Sequence, residues 1–130
     1  KAWNIPDTKF VIVQDQDSND CRKLKQKLLD LCSGYGKECL VRIACHELEA
    51  WYFGDLSAVE NAYGVKLDKY KRKSTYRIPD AIENPKDELR KMIPQHQQIS
   101  GARRIGEFMD IQNNKSESFQ MFVAGVQALL

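Results

Sequence analysis

The chain has 130 residues, with 42% hydrophobic and 29% charged residues. That suits one globular domain able to bury a core without disulfide or metal staples, and it argues against collagen, coiled coil and wholesale disorder. No apolar run reaches the roughly 20 residues of a membrane span, and no charged-then-apolar leader precedes the first element. The chain opens on Lys1 rather than Met, so the expectation is a domain cut on its N-terminal side.

Twenty basic and eighteen acidic residues leave a net charge of +2, unevenly spread. Residues 1–65 carry net −2 and residues 66–130 carry +4, with six cations and one acid between Lys66 and Arg77. An acidic front and a basic back suit a metal site beside a polyanion track, although a solvated loop has the same composition. Cys21, Cys32, Cys39 and Cys45 contain no Cys-x-x-Cys pair and the chain has two His, so zinc is not expected. Cysteines in apolar runs read as buried thiols of a reduced, cytoplasmic compartment.

Lys9–Gln14 is a short β-branched apolar run, and its continuous apolarity predicts a strand covered on both faces. Cys21, Leu24, Leu28, Leu29 and Cys32 repeat at helical spacing, which predicts a helix from Asn19 to Cys32, stopped by Ser33-Gly34-Tyr35-Gly36. Cys39–Cys45 predicts a second strand, completing a parallel βαβ unit. A helix starting at His46 and ending at Gly54 follows, then a helix capped by Asp55 and stopped by Gly64. The basic segment to Arg77 reads as a loop. Helices are expected from Pro85 to Ile93 with Asn84 as cap, over 101–110, and from Lys115 to Leu130, where Phe119, Phe122, Val123, Val126 and Leu130 form one apolar stripe. The fold class is therefore α/β, a small parallel sheet with a mostly helical C-terminal half. The expected domain plan is a single domain over 1–130, with an α/β core over 8–55 and a helical region over 56–130.

Two acidic clusters fall where such folds do chemistry. Open α/β sheets bind ligands beyond the carboxyl ends of their strands. Asp15, Asp17 and Asp20 lie there, after the first strand. Asp15 and Asp17, two apart in an extended segment, project to one side and suit a hard cation such as Mg²⁺ or Mn²⁺. The competing reading is that Asp17 to Asp20 cap the next helix. His46-Glu47-Leu48-Glu49 leaves the second strand at the same edge. Glu47 or Glu49 could complete a metal site or act as general base, and His46 could contact phosphate; acids in a first helical turn are the alternative. Packing of Leu48, Trp51 and Tyr52 would place Glu49 near the rim. Lys69, Lys71, Arg72, Lys73 and Arg77, interleaved with Tyr70 and Tyr76, suit a nucleic-acid track with stacking platforms; Lys86, Arg103 and Arg104 could extend it.

The run from Phe10 to Asp55 is similar to the RloG-like bacterial proteins, a family grouped with Toprim-like domains. The resemblance rests on Asp15-Gln-Asp17 after a strand and on His46-Glu-Leu-Glu-Ala-Trp51 with Asp55. The Pro85-Lys86 helix, the Gly101 segment and Ser118-Phe119 extend it over most of the chain. It implies Mg²⁺-dependent phosphodiester cleavage or phosphoryl transfer on DNA or RNA, with Asp15 and Asp17 as metal ligands. Glu47 to Glu49 is a recurrent acidic motif of that family without an assigned role, and the expectation that Glu47 and Glu49 are catalytic rests on their position alone. The resemblance also implies a setting in phage defence beside a partner ATPase. Toprim domains carry a Glu-Gly motif after an earlier strand, and no Glu precedes Phe10 here. Either that unit belongs upstream, making this the C-terminal part of such a domain, or the chain is a non-catalytic interaction module. A sheet lacking its first strand would expose an edge open to homodimerisation.

Overall fold

The computed structural model describes residues 5–130. Lys1, the residue behind the expectation of an upstream unit, lies outside the described residues. β1 (Phe10–Asp15), α1 (Cys21–Ser33) and β2 (Cys39–Ala44) form the predicted βαβ unit. The strands pair in parallel from Phe10 opposite Cys39 to Asp15 opposite Ala44. They are the whole sheet among the described residues. The fold is mixed α/β with a mostly helical C-terminal half.

Asp20 caps α1, its carboxylate accepting the Lys23 amide hydrogen at 3.0 Å. Of the first acidic cluster, this residue does take the capping role. β1 departs from expectation. Val11 and Val13 are 42% and 37% exposed, so one face of β1 is uncovered rather than packed on both sides. α1 and α7 pack on β2, which holds the interior position through Val41, Ile43 and Ala44.

The helical half is built from α2 (Ala50–Phe53), α3 (Leu56–Tyr63), α4 (Asp68–Lys71), α5 (Pro85–Met92), α6 (Gln98–Gly106) and α7 (Glu117–Leu129). Its main core gathers Phe53, Leu56, Val59, Leu67, Leu89 and Ile105 from five segments. Asp55 caps α3 through Ala58 N, and Gly64 ends it in the left-handed conformation at φ 64°. The basic segment is not the expected loop: α4 and a 3₁₀ turn at Ser74–Tyr76 order it, because Tyr76 buries its ring against Phe53, 5.0 Å between centroids.

A smaller core joins β2, α2 and α7. The Trp51 ring stacks on Phe122 (centroids 5.1 Å) and meets Phe119 edge-on (5.3 Å). Its indole N–H donates to Ser118 Oγ at 2.8 Å, while Asp80 accepts Ser116 Oγ–H at 2.6 Å and Ser118 N–H at 2.7 Å. Asn114 donates to Trp51 O and accepts from Ser116 N. This buried polar network fixes α2, the helix that follows the second acidic cluster, against the start of α7.

Candidate functional site

Parallel pairing in this register ends with Asp15 beside Ala44, so the segments leaving β1 and β2 meet at one edge. Hydrogen bonds stitch them together. Gln16 N donates to Ala44 O at 3.0 Å, Asp17 N to His46 O at 2.7 Å, and His46 N to Gln16 Oε1 at 3.1 Å. Asp17 and His46 both adopt left-handed backbone, φ 51° and 59°. For non-glycine residues that conformation persists only where surroundings enforce it. These crossed bonds supply the constraint.

The second acidic cluster is therefore no helix start at His46. Residues 45–49 form a turn, and α2 begins at Ala50. The turn aims Leu48 N–H at Asp15 Oδ1, 2.7 Å away. Burial pushes the Asp15 carboxyl above its ordinary range; the Leu48 bond opposes this, and the charges of Glu49 and Asp17 reinforce it. Lys86 is the nearby cation that lowers it. Asp15, Asp17, Glu49 and Lys86 thus share one electrostatic neighbourhood.

Glu49 is the unexpected member. It is 5% exposed, buried rather than at the rim, because Ala50, Trp51 and Tyr52 beside it are drawn into the core. Its carboxylate makes no hydrogen bond or ion pair with a described residue. Glu49 is buried as a residue, but its oxygens are not fully enclosed, and a narrow opening to solvent reaches its carboxylate. The Tyr52 phenol, pushed up to about 12 by burial and then by the Glu49 charge, lies beside it.

Glu47 has another task. Its Oε2 accepts the Lys86 amide hydrogen at 2.9 Å, at the start of α5, where Asn84 makes no side-chain capping bond. Glu47 is thus a helix cap supplied from 39 residues away. Asp17 is exposed and lines a cleft of ≈ 580 Å³ with His46, Glu47 and Asn84.

The donor set at this edge is hard oxygen, suited to Mg²⁺ or Mn²⁺ rather than to a soft metal. No group of three or more His, Cys, Asp and Glu among the described residues converges as a ready ligand cage. What the edge does offer is Asp15 and Glu49 near enough for the Glu49 charge to raise the Asp15 carboxyl, two oxygen donors of the type Mg²⁺ takes together with waters.

Lys69, Lys71, Arg72, Lys73 and Arg77 are not brought to the carboxylates. None of them lines the cleft of Asp17 and Glu47; Lys71, Arg72, Lys73 and Arg77 line a second one against α3. Lys71 is paired with Glu60, and Lys69 and Lys73 lie over the Tyr70 ring at 4.9 and 5.3 Å from its centroid.

Sequence reasoning undervalued Lys86 and missed Gln16. The helix-opening Pro85 marked the region, but contact across 39 residues leaves no local pattern.

A family model for a domain of unknown function, DUF4276, matches residues 7–127. The chain belongs to the DUF4276 family. No curated protein and no solved structure matches it. Among the described residues no helix of this DUF4276 domain is long and apolar enough to cross a membrane.

Proposed function

We propose that this DUF4276 domain is a metal-dependent phosphoryl-transfer enzyme that cleaves phosphodiester bonds in DNA or RNA, as its likeness to RloG-like and Toprim-like proteins implies. The observation that carries the reading is the coupling of Glu49, a residue 5% exposed whose carboxylate has no hydrogen-bond or ion-pair partner among the described residues, to an Asp15 whose charge is already disfavoured. Lys86 offsets the charge of this pair only in part, since the Asp15 carboxyl stays above its ordinary range, and a divalent cation is the further counter-charge its oxygens suit.

Asp15 and Glu49 would hold Mg²⁺ or Mn²⁺, with Asp17 facing it from the open rim. Bound there, the ion would stabilise charge developing on the scissile phosphate. The Leu48 bond occupies one Asp15 oxygen and orients the other. Lys86 sets a positive charge beside the pair, where a substrate phosphate would enter. Glu47 acts as a positioning residue through the α5 cap, and Glu49 is the acid of this motif that remains free for chemistry. A partner ATPase and a role in phage defence belong to the same proposal.

The test is cleavage of end-labelled DNA and RNA with Mg²⁺ or Mn²⁺ present. Asp15→Asn and Glu49→Gln should each lower product formation by roughly 10²-fold or more. Cleavage by both variants at the parent rate contradicts the proposal.

One observation favours a second reading, an interaction module without catalysis. The uncovered β1 face with Val11 and Val13 exposed could take a second copy or another protein. Light scattering showing a stable dimer that Val13→Lys dissolves, with no cleavage under any metal, would select it.

A further inference from the structure

The second cleft, ≈ 580 Å³ between α3, the ordered basic segment and the turn after α6, is built differently from the carboxylate edge. Its acids are consumed. Asp55 accepts from Ala58 N and Asp110 N, and Asp110 accepts from Gln112 N and Asn113 Nδ2, which hold the Asp110 carboxyl below its ordinary range. All four carboxylate oxygens therefore face donors within the fold. Of its cations, Lys71 is held by Glu60 and three others are open. Arg72, Arg77 and Lys115 are exposed, and their side chains make no ion pair or hydrogen bond with a described residue. Lys73 lies over the face of Tyr70 and within range of the Glu88 charge.

The same cleft carries Phe108, 48% exposed, and Asn61, exposed with no side-chain hydrogen bond. Unpaired cations beside an open aromatic ring form a composite site. Guanidinium forks match phosphate oxygens, and a bare ring offers a stacking face for a planar base. The volume falls in the range of small-ligand pockets and is far too small for a duplex.

We propose that this cleft is a nucleotide-binding site, with phosphate taken by Arg72, Arg77 and Lys115 and the base stacked on Phe108. The ligand chemistry, a phosphate attached to a planar base, comes either from a free nucleotide or from an unpaired stretch of a nucleic-acid strand. The site is separate from the carboxylate edge and needs no metal, so it stands or falls independently of the cleavage reaction.

The experiment is fluorescence anisotropy of a labelled single-stranded oligonucleotide with the whole chain in EDTA, competed by ATP, by inorganic tripolyphosphate and by a duplex of equal length. Arg72→Ala with Arg77→Ala should weaken binding at least tenfold and reduce the slope of log affinity against log salt by about 1.4. The control pair Lys23→Ala with Lys27→Ala removes equal charge from exposed positions of α1 and should leave the affinity within twofold. Phe108→Ala should weaken oligonucleotide or ATP binding roughly fivefold or more and leave tripolyphosphate unchanged. Displacement by ATP at an affinity equal to the oligonucleotide's identifies the free nucleotide as the source; affinity that grows with strand length identifies the strand. Absence of binding, tighter binding of duplex, equal losses in the two Arg and Lys pairs, or indifference to Phe108 overturns the proposal.

Discussion

Asp15 and Leu48 lie 33 residues apart, yet the Leu48 amide donates to the Asp15 carboxylate at 2.7 Å. This bond joins the ends of two parallel strands and steadies an acid that burial, with the charges of Glu49 and Asp17, pushes above its ordinary pKa despite the bond's opposing pull. Such an arrangement sacrifices stability at neutral pH, a pattern often met at functional sites.

That sacrifice is measurable. Because the Asp15 pKa is raised on folding, its contribution is present below the ordinary carboxyl value and is lost as pH rises through the folded value. Asp15→Asn retains an acceptor for Leu48 N and removes the charge. Its unfolding midpoint should therefore exceed the parent's by a few degrees at pH 7, with the difference vanishing towards pH 3. Thermal scans across pH check it. A variant less stable than the parent at pH 7 counts against the electrostatic account.

Glu47 separates capping from chemistry. Glu47→Ala should cost about 1 kcal/mol by leaving Lys86 N without its acceptor, while Glu47→Gln should recover most of that loss. Urea titrations give both values. If Gln is as damaging as Ala to stability, the capping assignment fails.

How much of this was legible in the sequence follows from the range of each interaction. Asp20, Asp55 and Gly64 act on neighbours within four residues, so their caps could be read directly. The βαβ unit followed from apolar periodicity. The burial of Glu49 was not legible, because it depends on the Trp51–Phe119–Phe122 cluster pulling α2 inward from a helix some 70 residues away. The order of the basic segment was hidden for a similar reason: the composition of 66–77 is that of a solvated loop, and only the burial of Tyr76 against Phe53 overrides it. Continuous apolarity misjudged β1, since pattern alone does not reveal whether a second layer exists to cover Val11 and Val13.

Gly54 sits where the chain after α2 meets Asn114. A Cβ there would fall 1.9 Å from Asn114 Oδ1 and 2.7 Å from Ser116 N. Asn114 is buried and bonded to Trp51 O, so it has no room to withdraw. Gly54→Ala should destabilise by about 1–3 kcal/mol, the usual cost of overpacking. An unfolding midpoint unchanged within error would show that the loop yields freely.

His96 is buried with Nδ1 2.6 Å from Tyr63 Oη and with no partner for Nε2 among the described residues. Burial, then the Arg90 charge, lowers its pKa from 6.5. Folding therefore favours the neutral ring. The full stability is present above pH 6.5 and falls as pH drops through 6.5 towards the folded value. His96→Gln should flatten the midpoint between pH 7 and pH 5, above the range where carboxylates such as Glu60 and Glu88, both lowered, begin to protonate. An equally steep slope in the variant would assign it elsewhere.

Asp15 and Glu49 are proposed to take a divalent cation, and Mn²⁺ titration of the whole chain by calorimetry at pH 7 tests this most directly. A single site in the parent chain, lost in both Asp15→Asn and Glu49→Gln and retained in Glu47→Gln, is the predicted result. Mn²⁺ binding that is absent from the parent, or that survives both substitutions unchanged, would contradict it.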